Sequence, residues 1–132
     1  MNREVALWFE AAGVDLRAAG VLLGEGIFPL VCFHAQQAVE KALKGLLVER
    51  SGTHPKGHSL EQLLLMPEVT DEERGRWRAE SRRLDEYYLP TRYPDAMPPG
   101  AAGGPAREHA ETALADATRI VQEIRARTGS GR

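Results

Sequence analysis

From Arg3 to Leu23 the apolar residues Val5, Phe9, Ala12, Leu16, Ala19 and Leu23 recur at spacings of four, three, four, three and four. That period puts them on one face of an amphipathic helix, with Glu4, Glu10 and Arg17 off it. Gly24-Glu25-Gly26 stops the helix, since glycine supplies the positive φ that helix C-termini use. Pro29 suits the first turn of a second helix, running to about Arg50. Cys32, Ala35, Val39, Ala42, Leu43 and Leu46 fall on one side of it. His34, Gln37, Lys41 and Lys44 form a polar stripe on another, with Gln36 and Glu40 beside that stripe. The short connection at Gly26 to Pro29 predicts an antiparallel hairpin of the first two helices.

The Gly and Pro content of residues 51–57 marks a loop. Ser59-Leu60-Glu61-Gln62 is a capping-box pattern that opens a short helix stopping before Pro67. Thr70-Asp71-Glu72-Glu73 repeats the pattern and opens a helix reaching about Tyr88. Its apolar stripe is thin (Trp77, Leu84 and Tyr88, with Ser81 between) and the rest is charged, so it is expected at the periphery. Residues 89–105 hold five prolines and three glycines, which excludes a regular helix. Within them the aromatic-rich stretch from Tyr87 to Asp95 reads as ordered and Met97 to Gly104 as flexible. A last helix is expected from Pro105 to Arg127, with Ala106, Ala110, Ala113, Ala117, Ile120 and Ile124 as its inner stripe. No strand, repeat or low-complexity tract stands out beyond the Pro/Gly loop. The pattern predicts an all-α chain: an up-and-down four-helix bundle with an additional short helix. Residues 1–127 would form a single domain and 128–132 a flexible tail.

Length and charge bound the function only loosely. The chain has 132 residues, 42% of them hydrophobic and 27% charged, which is the range of one globular domain. Seventeen Lys and Arg against nineteen Asp and Glu give a net charge of −2. That excludes a uniformly basic nucleic-acid coat but leaves room for a local basic strip. The single cysteine, Cys32, excludes a disulfide framework and a multi-cysteine zinc site, and its apolar setting predicts a buried, reduced thiol. Arg3, Glu4 and Glu10 interrupt the apolar core a signal peptide needs, and no stretch is long enough to span a membrane. The cytoplasm is the expected compartment.

Two groups of residues carry candidate chemistry. Lys41 and Lys44, with Gln37 and His34, form a helix face that can be a cationic strip for phosphate, and equally an ordinary solvated face. The second group is Tyr87 to Asp95. All three tyrosines fall in it; Tyr88 and Tyr93 are placed to stack on a base, and Arg92 offers a planar fork for phosphate. The plain structural alternative is that the tyrosines plug the bundle end and Arg92 pairs with Asp95. His54 and His58 are four apart but separated by Pro55 and Gly57, so a metal pair is not expected. No metal or cofactor site is predicted.

Three blocks together resemble one family. F-x-x-Q-Q-A-V-E-K-A-L-K-G-L-L (Phe33 to Leu47), H-S-L (His58 to Leu60) and Y-Y-x-P-T-R-Y-P-D (Tyr87 to Asp95) are similar to the HEPN family. The resemblance spans nearly the whole chain and implies a helical bundle, commonly paired as a homodimer. HEPN members include metal-independent RNases with an Arg, four to six residues, then a His. That motif is absent here: Arg50 and His54 have three residues between them, Arg107 and His109 one, and Arg92 has no histidine in range. The resemblance therefore implies the group of small HEPN binding modules. These bind nucleotide or act as dimeric partners of a minimal nucleotidyltransferase, in toxin–antitoxin-like systems. The residues so marked are Gln37, Lys41, Lys44, Tyr88, Arg92, Tyr93 and Asp95, with His34 and His58 as secondary candidates. The alternative is a divergent metal-independent RNase toxin, using His34 or His58 with Arg92.

Two expectations follow for the structure. Leu30, Phe33 and Leu47 lie outside the main apolar arc of the second helix, which predicts a homodimer covering them. Lys41, Lys44 and Arg92 are expected to form one cationic surface with Tyr88 or Tyr93 at its edge.

Overall fold

The computed structural model describes residues 2–88 and 104–129. Five helices occur among them: α1 (Arg3–Gly24), α2 (Phe28–Ser51), α3 (Leu60–Leu64), α4 (Asp71–Asp85) and α5 (Arg107–Ala126). No strand occurs among the described residues, so the all-α expectation holds.

Local chemistry sets most helix ends. Asn2 caps α1 by accepting from the amide of Val5 at 2.8 Å. Gly26, at a φ of 76°, reverses the chain between α1 and α2, and three residues suffice for the turn. Pro29 lies in the first turn of α2, where its missing N–H costs nothing. Gly52, at a φ of 84°, closes α2 by donating to the Val48 carbonyl. Thr70 and Glu73 make the reciprocal capping box of α4. That helix ends at Asp85, short of the expected Tyr88.

The predicted apolar faces converge in one core. Val5, Phe9, Ala12 and Ala19 of α1 are buried, as are Ala110, Ala113, Ala117, Ile120 and Ile124 of α5. Ala106 is not part of that stripe: it is the exposed residue preceding α5. The small side chains of α5 let it lie close to α2. Trp77, Ser81 and Leu84 are the buried edge of α4. The remainder of α4 meets α5 through long charged side chains. Arg76 donates to Glu123 at 2.7 Å, Trp77 Nε1 to the same carboxylate at 2.9 Å, and Arg83 to Asp116 at 3.1 Å; Arg119 reaches Glu80.

The central helix departs from expectation. α2 packs on all four other helices, and residues predicted to lie outside its apolar arc are covered by its own chain. Leu47 is fully buried and Phe33 half-buried, leaving only Leu30 exposed. The surplus apolar face of α2 that pointed to a homodimer is thus largely used within the subunit. A helix flanked on several sides carries apolar residues on several sides. The tail is a second departure. Thr128 is buried, and the amide of Gly129 donates to Glu49 at 2.7 Å, so these two residues are docked rather than frayed. Residues 130–132, and the segment from Leu89 to Gly103, lie outside the described residues.

Candidate functional site

The polar stripe of α2 is the spine of a continuous side-chain network. At its N-terminal end Asp15 of α1, almost fully buried, faces α2. His34 Nδ1 lies 2.8 Å from Asp15 Oδ1 and Lys41 Nζ 2.6 Å from Asp15 Oδ2. One carboxylate on an otherwise apolar helix face thus receives two basic groups spaced seven residues apart on α2, the repeat that returns to the same face.

Glu40 is the second centre. It is 4% exposed, and Lys44, 5% exposed, donates to it at 2.9 Å. Gln37 Nε2 donates to Glu40 at 3.1 Å and to Gln36 Oε1 at 2.8 Å. His58, from the loop before α3, places Nδ1 3.2 Å from both Glu40 oxygens. Gln36 is wholly buried and donates to the His58 carbonyl at 2.7 Å and to Asp85 Oδ1 at 3.2 Å. Asp85 in turn accepts from the amides of Leu60 and Glu61 and from the hydroxyl of Ser59. Those contacts satisfy N–H groups at the start of α3 that the helix itself cannot use.

Aromatic rings roof this network. The rings of His58 and Tyr88 stack with centroids 5.0 Å apart and planes 14° from parallel. Phe33 packs against Tyr88 and edge-on to His34. At the other end, Lys44 Nζ sits 5.9 Å from the centre of the Trp8 ring, which meets His54 edge-on.

Six of the predicted residues are brought together here: His34, Gln37, Lys41, Lys44, His58 and Tyr88. Arg92, Tyr93 and Asp95 lie outside the described residues. The expected open cationic face is corrected in one respect. Lys44 points into the bundle and is neutralised by Glu40, because Trp8 and the loop carrying His58 cover that turn of α2. Lys41 is the more accessible ammonium, with 30% of its side chain exposed, and it too has a carboxylate partner. Asp15, Glu40 and Asp85 outnumber the two lysines, so this part of the strip carries no surplus of fixed positive charge. His58 bonds a carboxylate, whereas His54 lies against the Pro55 carbonyl at 2.9 Å.

Sequence reasoning passed over Asp15 and Asp85, and placed Gln36 and Glu40 only beside the polar stripe. The one available signal was an acid at position 15 between the apolar positions Ala12, Leu16 and Ala19. Cys32 is buried as expected, and burial pushes its thiol up to about 12. Among the described residues no group of three or more His, Cys, Asp or Glu is arranged to hold a metal ion, and no helix is long and apolar enough to cross a membrane.

The HEPN domain model matches residues 5–127. The chain belongs to the HEPN family. Two solved structures resemble it over almost their whole length. TT1696 from Thermus thermophilus is 41% identical, with a TM-score of 0.80 over 95% of this chain and 98% of that one. ST0689, described as an archaeal HEPN homologue, is 33% identical, with a TM-score of 0.74 over 95% of this chain and 97% of that one. No curated protein matches. The HEPN match covers α1 to α5 and the whole network around α2.

Proposed function

We propose that this HEPN chain is a non-catalytic binding module for a nucleotide, and that it serves as the partner of a minimal nucleotidyltransferase. One observation carries the nucleotide reading. The stacked His58 and Tyr88 rings lie over the Glu40–Lys44 network, directly before the segment with Arg92, Tyr93 and Asp95. An aromatic platform beside polar groups is what a nucleobase needs, since every base has a face to stack and an edge to hydrogen-bond. Tyr88 and Tyr93 would take the base, and Lys41 and Arg92 the phosphates. Gln37 and Lys44 would hold Glu40 in place beneath, while Asp95 would orient Arg92.

The decisive experiment incubates the purified protein with ATP, with GTP and with labelled RNA, scoring binding and cleavage together. Arg92→Ala and Lys41→Gln should each weaken nucleotide affinity roughly tenfold, the scale of one lost charge-assisted contact. His34 stays on the Asp15 carboxylate in the variant, so the melting temperature should change little. If RNA is the ligand, affinity should fall with salt with a log–log slope of roughly −0.7 per phosphate contacted. No affinity for any of the three would overturn the nucleotide reading. A nucleotidyltransferase that fails to co-purify with the protein would overturn the partnership.

A second reading draws on the His58–Glu40 contact. A carboxylate at Nδ1 orients an imidazole and favours the tautomer in which Nε2 accepts a proton, the arrangement of a general base. In an RNase, His58 would take the proton of a 2′-hydroxyl and Arg92 would steady the phosphate. Cleavage of RNA that is abolished by His58→Ala would establish this reading in place of the first.

A further inference from the structure

The start of α5 is closed by a histidine where a capping box usually has glutamate or glutamine. Ala106, the residue preceding α5, has no side-chain acceptor for the free amides of the first turn. His109, three residues on, makes the other half of the box: its Nδ1 accepts from the Ala106 amide at 3.0 Å. A ring nitrogen accepts only while it carries no proton, so this contact selects the neutral ring with its hydrogen on Nε2. Glutamate and glutamine keep their acceptor oxygen through the neutral range. An imidazole does not, because its charge changes between about pH 5 and 8. The same ring lines a cleft of about 210 Å³ between α4 and α5. The charged walls of that cleft are Glu108 and Asp116 of α5 and Arg83 of α4, whose guanidinium donates to Asp116 at 3.1 Å. Tyr87 and Thr112 complete its polar lining.

We propose that His109 is a proton-operated cap: the neutral ring closes the start of α5, and the imidazolium leaves the Ala106 amide and turns into the cleft. Two effects drive the charged ring out. A protonated Nδ1 is a donor facing a donor, which strands the Ala106 amide. Its charge also falls on the positive end of the α5 dipole and joins Arg107, in the same first turn, whose guanidinium lies 4.9 Å from the centre of the Phe28 ring of α2. The cleft favours the charged ring, since there two carboxylates stand against one guanidinium and an added cation evens the balance. The groups that face the ring are thus Arg107, Glu108 and Asp116 of its own helix, Arg83 of α4 and Tyr87 just beyond α4. The cap needs the unprotonated ring, so the first turn of α5 is held at the higher pH and loosened as pH falls.

The device does not depend on nucleotide binding and is tested without nucleotide. Hydrogen exchange is followed at the amide of Ala106 and at that of Ala110, which donates to the Ala106 carbonyl at 3.1 Å. Rates are read as protection relative to the unfolded chain at the same pH. Between about pH 7.5 and about pH 5 wild-type protection should fall roughly fivefold, the scale of a lost cap. His109→Gln supplies a permanent acceptor and should keep its protection at both pH values. His109→Ala should show the low protection at both. His109 is exposed, so both variants keep the fold, which circular dichroism checks. Nitrogen NMR shifts of the ring should show the Nε2–H tautomer at the higher pH. At the lower pH the ring protons should exchange their contacts with Ala106 for contacts with Tyr87 and Thr112. His34, His54 and His58 remain in His109→Gln, so a loss of protection in that variant equal to the wild type's would overturn the proposal. So would wild-type protection that does not change with pH, an Nδ1–H tautomer at the higher pH, or a charged ring that stays beside Ala106.

Discussion

The guanidinium of Arg50 holds the carboxylate of Glu73 by two hydrogen bonds, of 2.7 and 2.8 Å. Glu73 is 2% exposed. It also accepts from the Thr70 amide and lies 3.4 Å from Arg127. One buried carboxylate thereby joins the end of α2, the start of α4 and the end of α5. Arg50 above all, with the Thr70 bonds, holds its carboxyl at about 2, well below the usual 4.5.

Acid should therefore unfold the protein partly through Glu73. As pH falls, the unfolded chain takes up the proton first, because its carboxyl keeps the ordinary affinity. The stabilisation is complete above about 4.5 and is lost progressively toward about 2. Glu123, held down chiefly by Arg76, titrates in the same window, so the difference between variant and wild type isolates Glu73. Glu73→Ala should lose about 3–5 kcal/mol at neutral pH, the scale for stranding one member of a buried ion pair. Its urea midpoint should then fall less steeply than wild type below about pH 4.5. A pH profile parallel to the wild type would refute the assignment.

Much of this architecture is visible in the sequence because it is local. The faces of α1 and α5 follow from a period of about 3.6, and the capping box at Thr70 from four adjacent residues. What stays hidden is long-range. Asp15 gains His34 from nineteen positions away, and Gln36 gains Asp85 from forty-nine. Periodicity shows that Lys44 and Leu47 lie off the main apolar arc, but not that neighbouring segments cover them. The candidate site was legible as a polar stripe and illegible as a network, because its carboxylates come from separate elements.

Asp85 is expected to act as a remote cap. It accepts from the Leu60 amide at 2.9 Å and the Glu61 amide at 3.1 Å, the first N–H groups of a helix only five residues long. Such a helix does not hold itself together in water. Asp85→Ala should cost about 1–2 kcal/mol. Hydrogen exchange should speed up at the amides of Leu60 to Leu64 while those of α1 and α2 keep their protection. Uniform acceleration across the molecule would mean that α3 is not a separable unit.

Cys32 should be inert in the folded chain. It is wholly buried, and a thiol pushed up to about 12 has almost no thiolate at neutral pH. A disulfide reagent should titrate no thiol in native buffer and one per chain in denaturant. Rapid reaction without denaturant would show that α2 opens at this turn.

Gly45 marks a close approach of α1 and α2 and sets the last expectation. A Cβ built there would lie 3.1 Å from Trp8 Cβ and 3.3 Å from Phe9 Cε2. Trp8 Cβ is anchored to its backbone and cannot swing aside as the end of a long side chain can. Gly45→Ala must push α1 outward or tilt the Phe9 ring within a close-packed core. The cost of such overpacking, about 1–3 kcal/mol, exceeds the gain of about 1 kcal/mol from replacing a helical glycine. Gly75 on α4 is the internal control, since a Cβ there meets nothing within 4 Å. Gly75→Ala should stabilise the protein by about 0.5–1 kcal/mol. Urea titrations of the two variants should thus shift in opposite directions, and the fluorescence of Trp8 should change only in Gly45→Ala. Shifts of the same sign would mean that α1 can move away from α2 at no cost, and that the hairpin is looser than its packing indicates.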